Sequence, residues 1–232
     1  MIRKFFFIST ISAVIVILTA CTVQRAPVSL VTNQNTNSAG TENQNIVATN
    51  QDLIKNAKPD DITSAAQPDF IAPISDALNR ITKKPFGIYV TPGNSPVQPE
   101  KFSGYHTGVD FETTAAEADI EVPITAACTG TVRVKQRVSG YGGVLIQDCT
   151  IDGRAVTVLY GHLNINAIMA KVGDTLQQSD VIGNLGTGYS TETDGERKHL
   201  HLGIHFGITI DYKGYVSSRD QLAGWLDAEK YL

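Results

Sequence analysis

His199-Leu200-His201-Leu202-Gly203-Ile204 sets imidazole and aliphatic side chains in alternation. A period of two is the pattern of a β-strand, so both imidazoles point to one face, about 6.6 Å apart at Cα. Both can reach one metal ion, or one can bind while the other lies over a substrate. Stretches further upstream read as strands on composition. Val109-Asp-Phe-Glu112, Glu121-Val-Pro-Ile-Thr125, Gly130-Thr-Val-Arg-Val134, Val144-Leu-Ile-Gln147 and Val156-Thr-Val-Leu-Tyr160 are short, rich in β-branched residues and bounded by Gly, Ser and Asp. From Phe102 to about Gly214 the chain is therefore expected to be all-β, a sandwich or barrel.

Four of the five histidines fall in three short motifs, all in the C-terminal half: His106-Thr-Gly-Val-Asp110, Tyr160-Gly-His162-Leu163 and His199-Leu-His201. One domain can gather them. Converging His and Asp side chains are what a catalytic zinc requires, about three N/O ligands and one open position. His106 and Asp110 in extended chain would lie about 13 Å apart, too far for one ion. Thr107, Gly108 and Val109 are poor helix formers, so the reading is a turn at Gly108 leading into a strand that begins at Val109. His205 is two strand steps beyond His201, about 13 Å along, and reads as a surface or cleft residue rather than a ligand of the same ion.

In this order, H-x-x-x-D, Y-x-H-L and H-x-H resemble the lysostaphin-type zinc peptidases, cell-wall endopeptidases with a duplicated hybrid-motif β fold, an antiparallel sandwich or barrel-sandwich. The resemblance runs from about Phe86 to Phe206. It includes the connectors Pro123-Ile-Thr-Ala-Ala127, Gly130-Thr-Val132, Gly140-Tyr-Gly-Gly143, Val172-Gly-Asp174 and Val181-Ile-Gly183. It implies that His106, Asp110 and His201 bind one zinc ion, and that His162 and His199 act on the attacking water. The implied substrate is a peptide bond in peptidoglycan stem peptides or cross-bridges. Two departures stand out. Gly203 occupies a position where many relatives carry a carboxylate, which leaves open what accepts the outer N–H of the histidines. Thr191-Glu-Thr-Asp-Gly-Glu-Arg-Lys198 replaces a shorter turn; it reads equally as a solvated loop or as a cleft wall.

The 232 residues carry a net charge of −4 and no basic block, which argues against nucleic acid as a partner. Arg3 and Lys4 precede an apolar run from Phe5 to Leu18, short for a spanning helix and suited to a secretory signal over residues 1–20. Leu18-Thr-Ala-Cys21 resembles the bacterial lipoprotein cleavage box, so Cys21 is expected to be lipidated and to anchor the protein in the cell envelope, with its domain facing periplasm or cell wall. Cys128 and Cys149 then remain as a possible pair in an oxidising compartment, and a hairpin turning at about Ser139 would set them opposite each other. Residues 21–67 are polar and poor in aromatics, the composition of a tether. Residues 68–99 form an arm, with a short helix possible over Ile74–Ile81 after Pro73. Residues 100–214 are the zinc metallopeptidase domain that the resemblance implies. The tail, 215–232, spaces Leu222, Trp225, Leu226 and Tyr231 as a short helix would.

Other function classes are a catalytically silent wall-binding or amidase-activating scaffold and a periplasmic barrel-sandwich adaptor. Val172 to Gly183 resembles the barrel-sandwich hybrids. A carrier needs a lysine at a hairpin tip and an adaptor a long helical hairpin; neither is legible, and neither explains the His/Asp set.

Overall fold

The computed structural model describes residues 68–232. The expected signal segment, Cys21 and the tether lie outside the described residues. Twelve strands form among those described: β1 (Tyr89–Val90), β2 (Gly104–His106), β3 (Gly108–Glu112), β4 (Pro123–Thr125), β5 (Gly130–Val138), β6 (Gly142–Ile151), β7 (Arg154–Leu163), β8 (Thr175–Leu176), β9 (Val181–Asn184), β10 (His199–Phe206), β11 (Tyr215–Val216) and β12 (Trp225–Leu226). All the pairings are antiparallel, so the all-β expectation holds.

The large sheet runs β12-β10-β7-β6-β5-β8, with β3 also on β10. The outer edge of β10 is thus shared. Its first half, His199 to Gly203, pairs with β3, and Ile204 and His205 pair with β12. One face of this sheet is the core: Val109, Phe111, Leu145, Val158, Tyr160, Leu200, Leu202 and Ile204 are fully or almost fully buried. Polar groups inside it are satisfied. Tyr160 donates to Gln147 Oε1 at 3.0 Å and accepts from the Ala127 amide at 2.9 Å, and Gln147 Nε2 donates to the Cys128 carbonyl at 2.8 Å. Cys128 and Cys149, both buried, are joined in a disulfide with Cα atoms 6.1 Å apart. The β5–β6 hairpin turns at Ser139-Gly140-Tyr141, with Gly140 at φ +88°, where a side chain would be strained.

The arm and the tail both pack on the central domain, and Phe86-Gly-Ile-Tyr-Val90 supplies an early strand, β1. A second sheet of three strands runs β1-β2-β11, so one strand from each flanks β2. Phe70 and Ile74 enter the main core, and the Lys84 carbonyl accepts from the Asp110 amide at 3.0 Å. The helix expected over Ile74–Ile81 shrinks to one turn, α1 (Ala77–Arg80), because Asp76 takes a left-handed φ of 55° just before it. The tail is not one helix either. It forms one turn, α2 (Arg219–Leu222), then β12, then a 3-10 turn at Ala228–Tyr231. Trp225 gains more by closing the edge of β10, where it is 6% exposed, than by extending a helix past Gly224.

Arg80, buried, fastens the arm to the loop after β3. Its guanidinium donates to both oxygens of Glu117 at 2.7 and 2.8 Å and to the Glu112 carbonyl at 3.1 Å. The hydrogen bonds from Arg80 hold the Glu117 carboxyl down at about 2, against an ordinary 4.5. A depressed folded-state pKa stabilises above the unfolded value and is lost as pH falls through the folded one. Acid unfolding followed from pH 6 to pH 2 is therefore expected to show a loss of stability between about 4.5 and 2 that Glu117→Gln lacks. Parallel curves for the two proteins would refute this.

Candidate active site

The β10 register builds the site. His201 lies opposite Asp110 on one side and Gly161 on the other, while His199 lies opposite Glu112. His106 arrives from the second sheet, at the end of β2. The chain crosses between sheets at Thr107, whose amide and hydroxyl donate to the carbonyls of Gly214 and Lys213 at 3.0 and 2.6 Å. The crossing is therefore one residue earlier than the expected turn at Gly108, which already belongs to β3 and has no positive φ. Glycine is required there for another reason. A Cβ on Gly108 would sit 2.5 Å from the Leu202 carbonyl oxygen and 2.7 Å from the His201 ring. Gly108→Ala is expected to displace the His201 imidazole and weaken metal binding by tenfold or more, on the order of what loss of a supporting contact costs. Titration with a competing chelator checks this; unchanged affinity would count against the packing argument.

His162 reaches the cleft by a β-bulge. In the β6–β7 ladder Val144 pairs with Gly161 and Gly143 with Leu163, leaving His162 as the extra residue, with φ +62°. In regular alternation it would share the core face with Tyr160; the bulge turns it outward. Such a backbone conformation in a non-glycine residue costs about 1–3 kcal/mol and is retained where the surroundings hold it. Here the His162 carbonyl accepts from the Gly186 amide at 2.8 Å.

His106, Asp110, His162, His199 and His201 are all buried and line one cleft of about 270 Å³. Three ligand atoms converge in it. His106 Nε2 and His201 Nδ1 are 3.1 Å apart, His201 Nδ1 and Asp110 Oδ1 3.1 Å, and His106 Nε2 and Asp110 Oδ1 3.3 Å. A tetrahedral zinc with bonds of roughly 2.0–2.1 Å spaces its ligands by about 3.3–3.4 Å. The triangle fits such an ion, and the three residues are a metal-capable group by residue type and spacing. Each is held from behind. His106 Nδ1 donates to the Pro85 carbonyl at 3.3 Å, His201 Nε2 faces the Tyr141 hydroxyl at 3.3 Å, and Asp110 Oδ2 accepts from Arg197 at 2.9 Å. Tyr141 answers the question that Gly203 raised: it supplies the outer partner of His201. A Cβ at Gly203 would lie 3.3 Å from the Trp225 ring, so this position is close to filled.

The other two histidines stack, with ring centroids 4.2 Å apart. His199 Nδ1 donates to the Arg197 carbonyl at 2.8 Å, and its Nε2 lies 3.3 Å from Asp110 Oδ2. His162 Nδ1 is buried and has no hydrogen-bond partner among the described residues. Burial, and then the neighbouring His199, push the His162 imidazole well below its usual range; burial takes His201 down to about 4. Burial would raise Asp110, but His199 and His106 outweigh it and keep the carboxyl well below the usual carboxylate range. The cleft thus pairs an ionised carboxylate with His162 and His201 in neutral form, the protonation state in which imidazole binds metal.

Sequence reading singled out neither Arg197 nor Tyr141 nor Glu112. Arg197 sits in the 191–198 segment, which is no free loop. The Glu192 carbonyl accepts from the Gly143 amide, Asp194 accepts from the Gly140 amide, and Thr193 is fully buried. Glu196 and Arg197 form part of the cleft wall. His205 is half-buried against Trp225, centroids 4.9 Å apart, and is not among the residues lining the cleft. Closing the sheet edge with Trp225 covers it.

No curated protein matches the chain significantly. Among solved structures, the chain is similar to LytU at 24% identity, over 72% of this chain and 97% of that one, with a TM-score of 0.42. It is similar to a candidate M23 peptidase from Pseudomonas aeruginosa at 20% identity, over 60% and 49%, TM-score 0.35. A candidate glycyl-glycine endopeptidase lytM from Ruminococcus gnavus ATCC 29149 aligns at 18% identity over 66% and 62%, TM-score 0.35. The alignment thus spans about half the length of the Pseudomonas protein. Residues 104–212, which carry His106, Asp110, His162, His199 and His201, match peptidase family M23. The domain built by these residues belongs to peptidase family M23.

Proposed function

We propose that the protein is a zinc endopeptidase that hydrolyses peptide bonds in peptidoglycan stem peptides or cross-bridges, held in the cell envelope by a lipidated Cys21. The observation that carries the reading is the triangle of His106 Nε2, Asp110 Oδ1 and His201 Nδ1, with edges of 3.1–3.3 Å, beside two stacked histidines. A zinc ion held by those three atoms would supply Lewis acidity to a peptide carbonyl and would lower the pKa of water to roughly 7. The resemblance to the lysostaphin-type enzymes supports the choice of peptidoglycan.

The chain's own residues do the rest. His199 Nε2 takes the proton of the attacking water, and Asp110 Oδ2, 3.3 Å away, stabilises the imidazolium that forms. That proton then passes to the amine nitrogen as the C–N bond breaks. His162, neutral and buried, donates to the developing oxyanion. Phe102, Tyr141 and Tyr212 wall the cleft and limit water to the open side.

The test is digestion of purified peptidoglycan by the full chain, with products identified by mass, before and after chelation. New amino termini that vanish with the chelator and return with zinc are expected; intact muropeptides, or cleavage indifferent to chelator, would sink the reading. For the anchor, Cys21→Ser is expected to move the protein from the membrane fraction to the soluble one. One acyl chain binds only marginally, so stable retention requires at least two. Unchanged membrane retention would count against lipidation.

A further inference from the structure

Arg197, 7% exposed, lies between two buried carboxylates, Asp110 and Glu112. Its Nη2 donates to Asp110 Oδ2 at 2.9 Å. Its Nε donates to both oxygens of Glu112 at 3.0 and 2.9 Å, and Nη2 also meets Glu112 Oε1. Its carbonyl accepts from His199 Nδ1. The register explains the arrangement. Asp110 and Glu112 lie on β3 opposite His201 and His199, so their side chains share one face. Arg197 precedes His199 by two residues, and its side chain lies across both carboxylates. Lys83 adds a cation at the outer side of Glu112, 3.3 Å from Oε2.

A carboxylate can offer a cation one oxygen or two. With Oδ2 occupied by a guanidinium, only Oδ1 of Asp110 faces His106 and His201. Glu112 is what makes the clamp rigid: a planar fork gripped on two sides cannot swing away, as a lysine ammonium could. The geometry points to Arg197 as a positioning residue, clamped by Glu112, that locks Asp110 to one-oxygen presentation and through its carbonyl fixes the tautomer of His199. This rests on the zinc reading above.

Zinc affinity of the full chain, measured by chelator competition, tests it without any substrate. Arg197→Met is expected to weaken zinc binding about 10–100-fold, the usual effect of losing a group that orients a ligand. Arg197→Lys should recover it only in part, and Glu112→Gln, which keeps Arg197 but loosens it, should fall between. Cobalt(II) substitution gives a readout that mere destabilisation would not move: the visible bands should shift in Arg197→Met as the second oxygen of Asp110 becomes free. If Arg197→Met does not fold, the spectrum and affinity of Glu112→Gln decide. Unchanged affinity and unchanged bands in the folded variants overturn the inference alone; a wild-type chain that binds no zinc overturns it together with the proposed function.

Discussion

Asp110→Ala is expected to leave a protein with no stoichiometric zinc and hydrolysis at background, the largest effect of any single substitution in the cleft. Asp110 is the hub of the site. Its Oδ1 faces His106 and His201, and its Oδ2 meets Arg197 and His199. Removing it takes one ligand from a site that has three, and a catalytic zinc site has none to spare. It also leaves the Arg197 guanidinium with one buried carboxylate instead of two, and breaking a buried ion pair typically costs about 3–5 kcal/mol. Asp110→Asn separates the two effects, since it keeps the volume and loses the charge. Thermal unfolding of the metal-free proteins should place it closer to wild type than Asp110→Ala, while zinc per chain falls in both. His201→Ala is expected to lose metal as well. Stoichiometric zinc retained by Asp110→Ala would remove the carboxylate from the ligand set.

Much of this arrangement was legible in the chain. Alternation identified β10, runs of β-branched residues between turn residues identified β3, β4, β5, β6 and β7, and the motif order drew His106, Asp110, His162, His199 and His201 into one place. What escaped reading depended on pairing between distant segments. That Tyr141 would back His201 follows from where the β5–β6 hairpin tip lands, and its only trace in sequence was the Gly140-Tyr-Gly-Gly143 connector. Arg197 and Glu112 are ordinary charged residues until β3 and β10 align; nothing local distinguishes them from a solvated pair. The bulge at His162 was also hidden, because a left-handed histidine has no composition signal. Gly108 was noticed for the wrong reason, as a turn, when its role is to let β3 approach His201. The tail went wrong by trusting apolar spacing over the pull of an open sheet edge, where Trp225 closes β10.

His162→Ala and His199→Ala are expected to keep zinc near one per chain and yet lose about 10²–10⁴ in hydrolysis rate, the range for positioned acid–base groups. The split follows from contacts. Neither residue belongs to the triangle of ligand atoms, and each turns a ring nitrogen into the cleft: His199 Nε2, 3.3 Å from Asp110 Oδ2, and His162 with a buried Nδ1 that has no partner among the described residues. Because the rings stack at 4.2 Å, the double variant is expected to lose less than the product of the two single losses. His205→Ala, on the same strand but packed on Trp225 outside the cleft, should leave the rate nearly unchanged and shows whether the effect is specific. Zinc per chain beside rate for each variant decides the assignment. Zinc lost from His199→Ala but kept in His201→Ala would exchange their roles, and an active wild-type enzyme free of metal would end the metallopeptidase reading.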